Sequence, residues 1–302
     1  MPSAAQSNVP LGQRKPCPWC ERLRQSGGMF RLGGSKASAP KGGASLVGGA
    51  STVTRSKPGL GRLIALLLLA GVLLQLYFAA RVAMATVIDP ESTAFQRSEL
   101  WRLTISTQDD KPSHWRQQWV PYEKISDHLK RAVMASEDAR FTEHTGVGWE
   151  AIENAWARNT KAMEAAAKRA EAEDQPVGNV KIRGGSTITQ QLAKNMFLSS
   201  ERNYPRKAQE LVLTKELELA LGKRRILEIY LNNVEWGQGV FGAEAAAQRY
   251  FHKPASALTR QEAARLAVML PRPKFFEQRP GSVYVNRQSG RIVTRMNHVT
   301  PP

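Results

Sequence analysis

The chain has 302 residues, with 43 Lys and Arg against 26 Asp and Glu, a formal net charge of +17, and two Cys. Because both Cys lie within the first 20 residues, the remainder of the chain cannot form an internal disulfide, which excludes a disulfide-stabilised scaffold. The excess of positive charge favours a polyanionic partner, such as nucleic acid, acidic lipid headgroups or a phosphorylated substrate.

Residues 1–62 are rich in Gly, Ser, Pro, Lys and Arg and poor in large apolar side chains. Such a composition cannot bury enough surface to offset chain entropy, so we expect a disordered basic tail. The tail contains Cys17 and Cys20 in the sequence CPWC. A zinc site needs about four ligands, and no second CxxC pair or nearby His is present. A reduced pair in a flexible tail therefore competes with a lone metal or redox site.

An apolar run, LIALLLLAGVLLQLYFAA, occupies residues 63–80 and contains no charge and one amide, Gln75. Its length meets the requirement for crossing a ~30 Å hydrocarbon layer, so we predict a transmembrane helix, with a buried helix of a soluble protein as the alternative. Basic residues far outnumber acidic ones before the run, so the positive-inside rule predicts a cytoplasmic N-terminus. Everything after Arg81 is then extracytoplasmic, which argues against nucleic acid as the partner.

Residues 81–126 are expected to form a linker and membrane-proximal region, and the stretch 87–125 lacks helical periodicity, which indicates extended connecting structure. From residue 127 onward the signals are helical. An apolar stripe in SDHLKRAVMASED delivers Glu137 and Asp138 to the C-terminal end of a helix. Carboxylates are unfavourable there because that end of the helix dipole is negative. Two acids placed against this preference indicate a functional use.

Later helices are predicted from their caps. Thr187 and Gln190 form a capping box directly after two glycines, Pro205 suits the start of a helix, and Thr259 and Glu262 form a second capping box. The predicted helices run from 187 to 197, 205 to 221, 223 to 232, 242 to 252, and 259 to a stop at Pro271. We therefore predict a mainly α fold, with a catalytic domain at residues 127–275 and a C-terminal tail at 276–302.

Three polar motifs carry the chemistry of this region. EDARFTEHTG begins with the acidic pair, although a helix end with solvated acids and a structural His would explain it alone. GGSTITQQLAKN presents two glycines and a hydroxyl-rich helix start, whose backbone N–H groups suit an anion. RKAQE places Glu210 beside Arg206 and Lys207, for which a surface ion pair is the common alternative.

Two further motifs follow in order, RILEIYLNNVEWGQGVFGAEAAAQRYF and LAVMLPRP. Together, the five motifs make the chain resemble the peptidoglycan glycosyltransferase family. The resemblance is strongest to the monofunctional biosynthetic transglycosylase branch of that family. The resemblance covers residues 127–273. It implies a helical, lysozyme-like fold with a small membrane-apposed lobe that contacts lipid. It also implies polymerisation of lipid II into β-1,4-linked glycan strands, with inversion at the anomeric carbon and release of undecaprenyl diphosphate.

By resemblance, Glu137 is the base that deprotonates the acceptor 4-hydroxyl, and Glu210 is the second carboxylate, near the diphosphate. Lys194, Arg206 and Lys207 are expected to contact phosphate, while the polar residues of the second motif line the donor side and those of the first motif shape it. Both a base and positive charge are what this reaction requires. The candidate substrate-binding residues are Asp138, Phe141, His144, Ser186, Thr187, Gln190, Gln191, Lys194, Asn195, Arg206 and Lys207.

The resemblance also implies a divalent cation, Mg²⁺ or Mn²⁺. Because the sequence shows no metal ligand set, we expect the diphosphate to hold this cation together with one or two carboxylates. No organic cofactor is expected. The implied partners are lipid II, the growing lipid-linked strand, the membrane and proteins of a cell-wall synthesis complex. The implied location is the bacterial inner membrane, with a single span and the catalytic domain outside the cytoplasm.

Other motifs favour structural roles. The residues most suited to supporting helices and a tight loop are Arg225, Glu228, Tyr230, Asn232, Gly237, Gly239 and Gly242. The apolar candidates for lipid contact are Trp156, Met163, Val177, Val180 and Ile182. About thirty residues follow LAVMLPRP, too few for a penicillin-binding transpeptidase domain, so we expect no β-lactam binding.

Two other functions compete with glycan synthesis. A lysozyme-like hydrolase also uses a carboxylate in a helical cleft, but it does not need the cations beside Glu210. A membrane-tethered scaffold that only binds anionic glycan or lipid would not need Glu137 to accept a proton. Polymer growth, strand shortening or binding without turnover separates the three.

Overall fold

The computed structural model describes residues 59–105, 115–173, 175, 176, 178, 180, 184–198, 201 and 203–302. The prediction of a disordered tail over residues 1–62 is wrong at residues 60–62, which begin a helix. Its residues 1–58, and with them any role of Cys17 and Cys20, lie outside the described residues. So do Val177 and Ile182 as candidates for lipid contact.

The first helix, α1 (Leu60–Met84), contains the whole apolar run predicted at residues 63–80. Among the described residues it is the one helix long and apolar enough to cross a membrane, judged by length and composition. Most of its side chains are exposed, whereas Val82 and Ala85 near its end are buried against the rest of the molecule. A continuous apolar surface outside the core is what an anchor in lipid requires.

The second helix, α2 (Ala94–Ile105), corrects the prediction of extended structure between residues 87 and 125. Its start is a reciprocal cap: the Thr93 N–H donates to Gln96 Oε1 at 2.8 Å, and the Gln96 N–H donates to Thr93 Oγ1 at 3.1 Å. The Gln96 amide also donates to Asn233 Oδ1 at 3.2 Å. The periodicity of apolar residues did not predict this helix, because α2 leaves large apolar side chains such as Trp101 exposed. The Thr-x-x-Gln sequence at its start is a capping motif that could have predicted it.

From residue 127 the chain is mainly α-helical, as predicted. Thr187 and Gln190 form the expected capping box, and Thr259 and Glu262 form the other. The helices are α3 (Asp127–Glu137), α4 (Trp149–Ala172), α5 (Ile188–Phe197), α6 (Tyr204–Ala220), α7 (Lys223–Asn233), α8 (Ala243–Phe251) and α9 (Arg260–Met269). The apolar faces of these helices other than α4 form one core, which includes apolar residues of the predicted stripe of α3 and fully buried Trp236.

A small sheet joins the region after α2 to the loop between α7 and α8. Strand β1 (Arg116–Gln117) pairs in parallel with β3 (Val240–Phe241), which pairs antiparallel with β2 (Glu235–Gly237). The Asn232 side chain bonds both the N–H and the C=O of Val120, at 2.9 and 3.0 Å. Gly242 has φ +85°, and a Cβ there would lie 2.6 Å from the Asn232 carbonyl oxygen. These contacts give Asn232 and Gly242 the structural roles predicted for them.

The last helices, α10 (Pro273–Glu277) and α11 (Val283–Arg295), are made by residues that the sequence analysis assigned largely to a C-terminal tail. In the structure, α11 packs on α9 and α3. Val285, Ile292 and Met296 are buried in the common core. Residues 276–302 therefore contribute to packing, because α11 is amphipathic and α9 and α3 supply its apolar partner.

An ionic cluster with two largely buried carboxylates and two partly exposed cations connects α2, β2 and α10. Lys274 Nζ lies 2.6 Å from Glu99 Oε2 and 3.5 Å from Glu235 Oε1, and Arg102 also pairs with Glu99 at 2.8 Å. Burial raises the pKa of Glu235 to about 7, against the opposing effect of Lys274. Two carboxylates thus share one ammonium in a place where only one of them is readily ionised at neutral pH.

This cluster makes stability depend on pH with a definite sign. The pKa of Glu235 is higher in the folded chain than in the unfolded chain, so its contribution is complete below about pH 4.5 and is lost as the pH rises through about 7. We expect the wild-type unfolding free energy to fall by on the order of 2 kcal/mol from this group across that window. Glu235→Gln should flatten the slope, measured by denaturant unfolding in detergent micelles at several pH values.

A control for this experiment is Glu123→Gln, which changes a carboxylate whose side chain is 65% exposed. It should leave the pH slope unchanged. An identical slope for wild type and Glu235→Gln would contradict the prediction.

Candidate active site

The last residue of α3, Glu137, begins a chain of side-chain hydrogen bonds that crosses three helices. Its Oε2 accepts from Gln191 Nε2 on α5 at 2.9 Å, and Gln191 Oε1 accepts from the Tyr230 hydroxyl on α7 at 3.0 Å. Tyr230 is 1% exposed, so its hydroxyl has a fixed position. The amide of Gln191 is thereby oriented with its NH₂ group toward the carboxylate. The sequence predicted only a structural role for Tyr230, since no spacing relates residue 230 to residue 191.

The environment of Glu137 favours its protonated form. Burial raises the pKa of Glu137, and the negative charge of Asp138 raises it further, while the hydrogen bond from Gln191 and the positive charge of Lys194 oppose the shift. The negative end of the α3 dipole acts in the same direction as burial. A carboxylate with a raised pKa is a stronger base than an exposed one, which suits it to accept a proton.

The hydrogen bonds of the Asp138 carboxylate fix the loop that follows α3. One of its oxygens accepts from the Ile188 N–H at the start of α5 at 3.1 Å, and both lie 3.0 Å from His144 Nε2. His144 Nδ1 accepts from the Gly146 N–H at 3.1 Å, so Nε2 is the protonated nitrogen and donates to Asp138. This network fixes the first motif against the start of α5.

Gly146 brings that loop onto α6. Its φ is +88°, and an added Cβ would lie 2.7 Å from Thr214 Cγ2 and 2.9 Å from Glu218 Cγ, so only glycine fits. The Gly146 carbonyl accepts from Thr187 Oγ1 at 2.6 Å. Gly146 is thus held from two sides, by Thr187 at the start of α5 and by Thr214 on α6.

A cleft of about 790 Å³ lies in front of Glu137. Five of the predicted site residues line it, namely Glu137, Asp138, His144, Ser186 and Thr187. Helices α4 and α11 also line the cleft, with residues that the sequence motifs did not indicate: Trp149, Arg158 and Arg295. An exposed Trp beside a polar cleft is a suitable platform for a sugar face. No motif could have indicated Arg295, since its helix was assigned to the tail.

A second charged group lies on α6. Glu210 Oε2 accepts from Arg206 Nη1 at 3.1 Å, and Glu210 Oε1 is held by Lys207 Nζ. The Glu210 side chain is 4% exposed, against 15% for Arg206 and 45% for Lys207. This is a buried carboxylate with two cations rather than a surface ion pair. Among the described residues that line the cleft, none belongs to this group.

Packing nevertheless places Glu210 on the side of α6 that faces the first motif. Glu210, Thr214 and Leu217 are the buried face of that helix, and Thr214 lies one turn beyond Glu210 and against Gly146. The Thr214 hydroxyl donates to the Glu210 carbonyl at 2.7 Å. Gly146 at the end of the first motif thus contacts α6 about one helical turn from Glu210.

The other predicted site residues have varied surroundings. Phe141 is fully buried and packs edge-to-face on His144, with 6.4 Å between ring centroids. Gln190 is buried and its Oε1 accepts from the Thr187 N–H at 3.1 Å, which uses its side chain in the helix cap. Lys194 is exposed, and its charge acts on Glu137, whereas Asn195 is half-buried.

The described residues do not fit a metal ion held by protein alone, since they contain no group of three or more His, Cys, Asp or Glu able to bind one. Glu210 is already bound by two cations, and Asp138 is bound by His144 and the Ile188 N–H. The expectation of Mg²⁺ or Mn²⁺ stays a prediction in which the diphosphate supplies most of the ligands.

Comparison with known proteins identifies the family. A family model described as Transglycosylase matches residues 104–297. A biosynthetic peptidoglycan transglycosylase of Paraburkholderia xenovorans is 46% identical over 260 residues, which cover 83% of this chain and 99% of that protein. Proteins of the same description from Burkholderia thailandensis and Bordetella pertussis are 49% and 47% identical, over 76% of this chain and 82% and 89% of their own lengths. The chain therefore belongs to the family of biosynthetic peptidoglycan transglycosylases.

Proposed function

We propose that this transglycosylase polymerises lipid II, with Glu137 as the general base. The observation that carries the proposal is a half-buried carboxylate of raised pKa that lines a cleft large enough for a sugar. Gln191 fixes one of its oxygens by a hydrogen bond that depends in turn on Tyr230. A base needs such fixed geometry because proton transfer requires hydrogen-bond distance to the reacting hydroxyl.

The reaction follows from these groups. Glu137 removes the proton from the acceptor 4-hydroxyl, whose oxygen forms a bond to the anomeric carbon of the donor. The bond from that carbon to the lipid diphosphate breaks, and its electron pair leaves on the diphosphate. Attack opposite the leaving group converts an α-linked donor into a β-1,4 linkage, so inversion is expected and no covalent enzyme intermediate is needed.

Positive charge near the leaving group comes from Lys194, Arg206 and Lys207 in this proposal. Arg206 and Lys207 are held by buried Glu210, which orients them without the entropy loss of two free side chains. A diphosphate bound by these cations would leave as a stabilised anion. This cluster favours synthesis over hydrolysis, since a glycosidase that releases a neutral sugar has no comparable requirement.

The proposed setting is the inner membrane. Helix α1 would cross the bilayer once, with the N-terminus in the cytoplasm and the catalytic domain outside it, as the charge of residues 1–62 predicts. On α4, Trp156 and Met163 are 75% and 55% exposed, and they remain the best-supported candidates for lipid contact. Lipid II and the growing strand are the proposed partners, together with proteins of a cell-wall synthesis complex.

The test is incubation of the purified full chain in lipid vesicles with lipid II, followed by separation of the products. Growing polymer is expected, with undecaprenyl diphosphate released in proportion to the bonds formed. Shortening of preformed strands would identify a hydrolase instead, and binding without turnover would identify a scaffold. Either result would overturn the proposal.

A further inference from the structure

The end of α1 that approaches the domain is packed along one face. Gln75, Phe78, Val82 and Ala85 follow the spacing i, i+3, i+7, i+10, and all four are less exposed than the neighbours that point away from the domain. Phe78 packs edge-to-face on Phe197 at the end of α5, with 5.7 Å between ring centroids. The anchor helix is therefore attached to the catalytic helices by its last three turns, and not only by the chain that follows it.

Gln75 is the single amide in the apolar run, and both its amide nitrogen and its amide oxygen form hydrogen bonds. Its Nε2 donates to Glu216 Oε1 at 2.8 Å, and its Oε1 accepts from Gln209 Nε2 at 3.1 Å. Glu216 Oε2 is buried and has no hydrogen-bond partner among the described residues. Gln75 is thus the hydrogen-bond donor that this carboxylate relies on, in surroundings where an unmade hydrogen bond is expensive.

The same helix that Gln75 binds also carries the charged group of the site. Glu210, Thr214 and Leu217 form one buried face of α6, while Gln209 and Glu216 meet the anchor on another. Because a helix is rigid over so few turns, a hydrogen bond on one face fixes the position of side chains on the other. Any shift of α6 relative to α1 would move Arg206, Lys207 and Glu210 together.

The position of Gln75 along α1 sets a depth. Arg62 and Arg81 are separated by about 28 Å along the helix at ~1.5 Å per residue, close to the ~30 Å hydrocarbon thickness. Gln75 then lies about 9 Å inside the plane of Arg81. Its bonds to Gln209 and Glu216 would hold one edge of α6 about 9 Å inside that plane, beside the hydrocarbon boundary at which a lipid diphosphate lies.

We propose that Gln75 is a positioning residue: its amide fixes α6 against the anchor and so sets the Arg206–Lys207–Glu210 group at a defined depth in the bilayer. The inference rests on the proposed role of that group in binding the diphosphate. It assigns a function to the one amide of the span, which an anchor does not need.

The experiment uses the full chain in lipid vesicles and measures initial rates of lipid II polymerisation. We expect Gln75→Leu to lower turnover at saturating lipid II by about tenfold, less than the ~100-fold that a 1 Å misplacement can cause. KM should change by less than about twofold, because the cleft at Glu137 is untouched. The variant makes the span more apolar, so membrane insertion, checked by alkaline extraction, should be preserved.

Two matched variants separate positioning from a general effect on the anchor. Leu74→Gln/Gln75→Leu keeps the composition but turns the amide by about 100° toward lipid, since Leu74 is 51% exposed, so it should be as slow as Gln75→Leu. Gln75→Glu/Glu216→Gln exchanges the carboxylate and the amide while keeping a donor opposite an acceptor, so it should recover most of the wild-type turnover.

Wild-type turnover in Gln75→Leu, or in the variant that moves the amide to position 74, would overturn the inference. So would a slow Gln75→Glu/Glu216→Gln variant, because the hydrogen bond would then not be what matters. Failure of the proposed function looks different: the wild-type chain itself would not polymerise lipid II in the same vesicles.

Discussion

Glu137→Gln is expected to abolish glycan polymerisation while the protein stays folded. A general base contributes about 10²- to 10⁴-fold to a rate, and an amide cannot accept the proton of the acceptor hydroxyl. The substitution keeps size and shape, and an amide oxygen at position 137 can still accept from Gln191 Nε2. The measurement is the initial rate with lipid II, with circular dichroism as the check on folding.

The same variant should not lose stability. Since the pKa of Glu137 is raised above its ordinary value of 4.5, the ionised carboxylate is less favourable in the folded chain than in the unfolded chain once the pH exceeds that raised pKa. Removing the charge therefore keeps or increases the unfolding free energy at neutral pH. Loss of activity with no loss of stability is the usual mark of a group retained for chemistry.

Wild-type activity should depend on pH in the corresponding direction. The base must be ionised, so the rate rises with pH through the pKa of Glu137, which burial places above that of an exposed glutamate. If the base were an exposed carboxyl group with an unshifted pKa, the rate would stay constant to a lower pH before it fell. The pH profile of kcat/KM reports this group in the free enzyme.

The control for these measurements is Glu143→Gln. Glu143 lines the same cleft, but its side chain is 63% exposed and pairs with Arg140 at 3.2 Å. We expect it to retain most of the wild-type rate, since an exposed ion pair contributes little. If Glu137→Gln polymerised as fast as Glu143→Gln, Glu137 would not be the base.

Sequence reasoning could predict the helices whose signals are local. The Thr187–Gln190 and Thr259–Glu262 boxes fix helix starts through contacts three residues apart, and the apolar stripe of α3 repeats at helical spacing. The family resemblance, which the comparisons confirm, also rests on contiguous motifs. The roles given to individual site residues stay predictions.

What sequence could not give are the contacts between distant elements. The bond of Tyr230 to Gln191 spans 39 residues, and that of Gln75 to Glu216 spans 141, so neither leaves a periodic signal. Arg295 reaches the cleft only because α11 packs on α9 and α3. Helix α2 was missed for another reason: its exposed apolar side chains hide the amphipathic pattern, although its cap was present at Thr93.

Glu210→Gln is expected to lower both activity and stability, which separates it from Glu137→Gln. The side chain of Glu210 is 4% exposed and bonds Arg206 and Lys207, whereas the Nε of Arg206 is already buried without a hydrogen-bond partner among the described residues. Removing the charge leaves the guanidinium of Arg206, only 15% exposed, without its counter-ion. The loss should be about 1–3 kcal/mol of unfolding free energy, most of it from Arg206, because water screens half-exposed Lys207.

The rate should fall by about 10²- to 10³-fold, as when a fixed electrostatic contact to the leaving group is lost. Glu218→Gln is the matched control, since Glu218 lies two turns further along α6, is 8% exposed and pairs with Lys223 at 2.8 Å. It should be destabilised to a similar degree and yet retain most of its activity. Equal loss of activity in the two variants would mean that Glu210 acts only through the stability of α6, and a wild-type rate in Glu210→Gln would remove it from the mechanism. A selective loss in Glu210→Gln would instead tie the two cations to departure of the diphosphate, because Glu210 is what orders them.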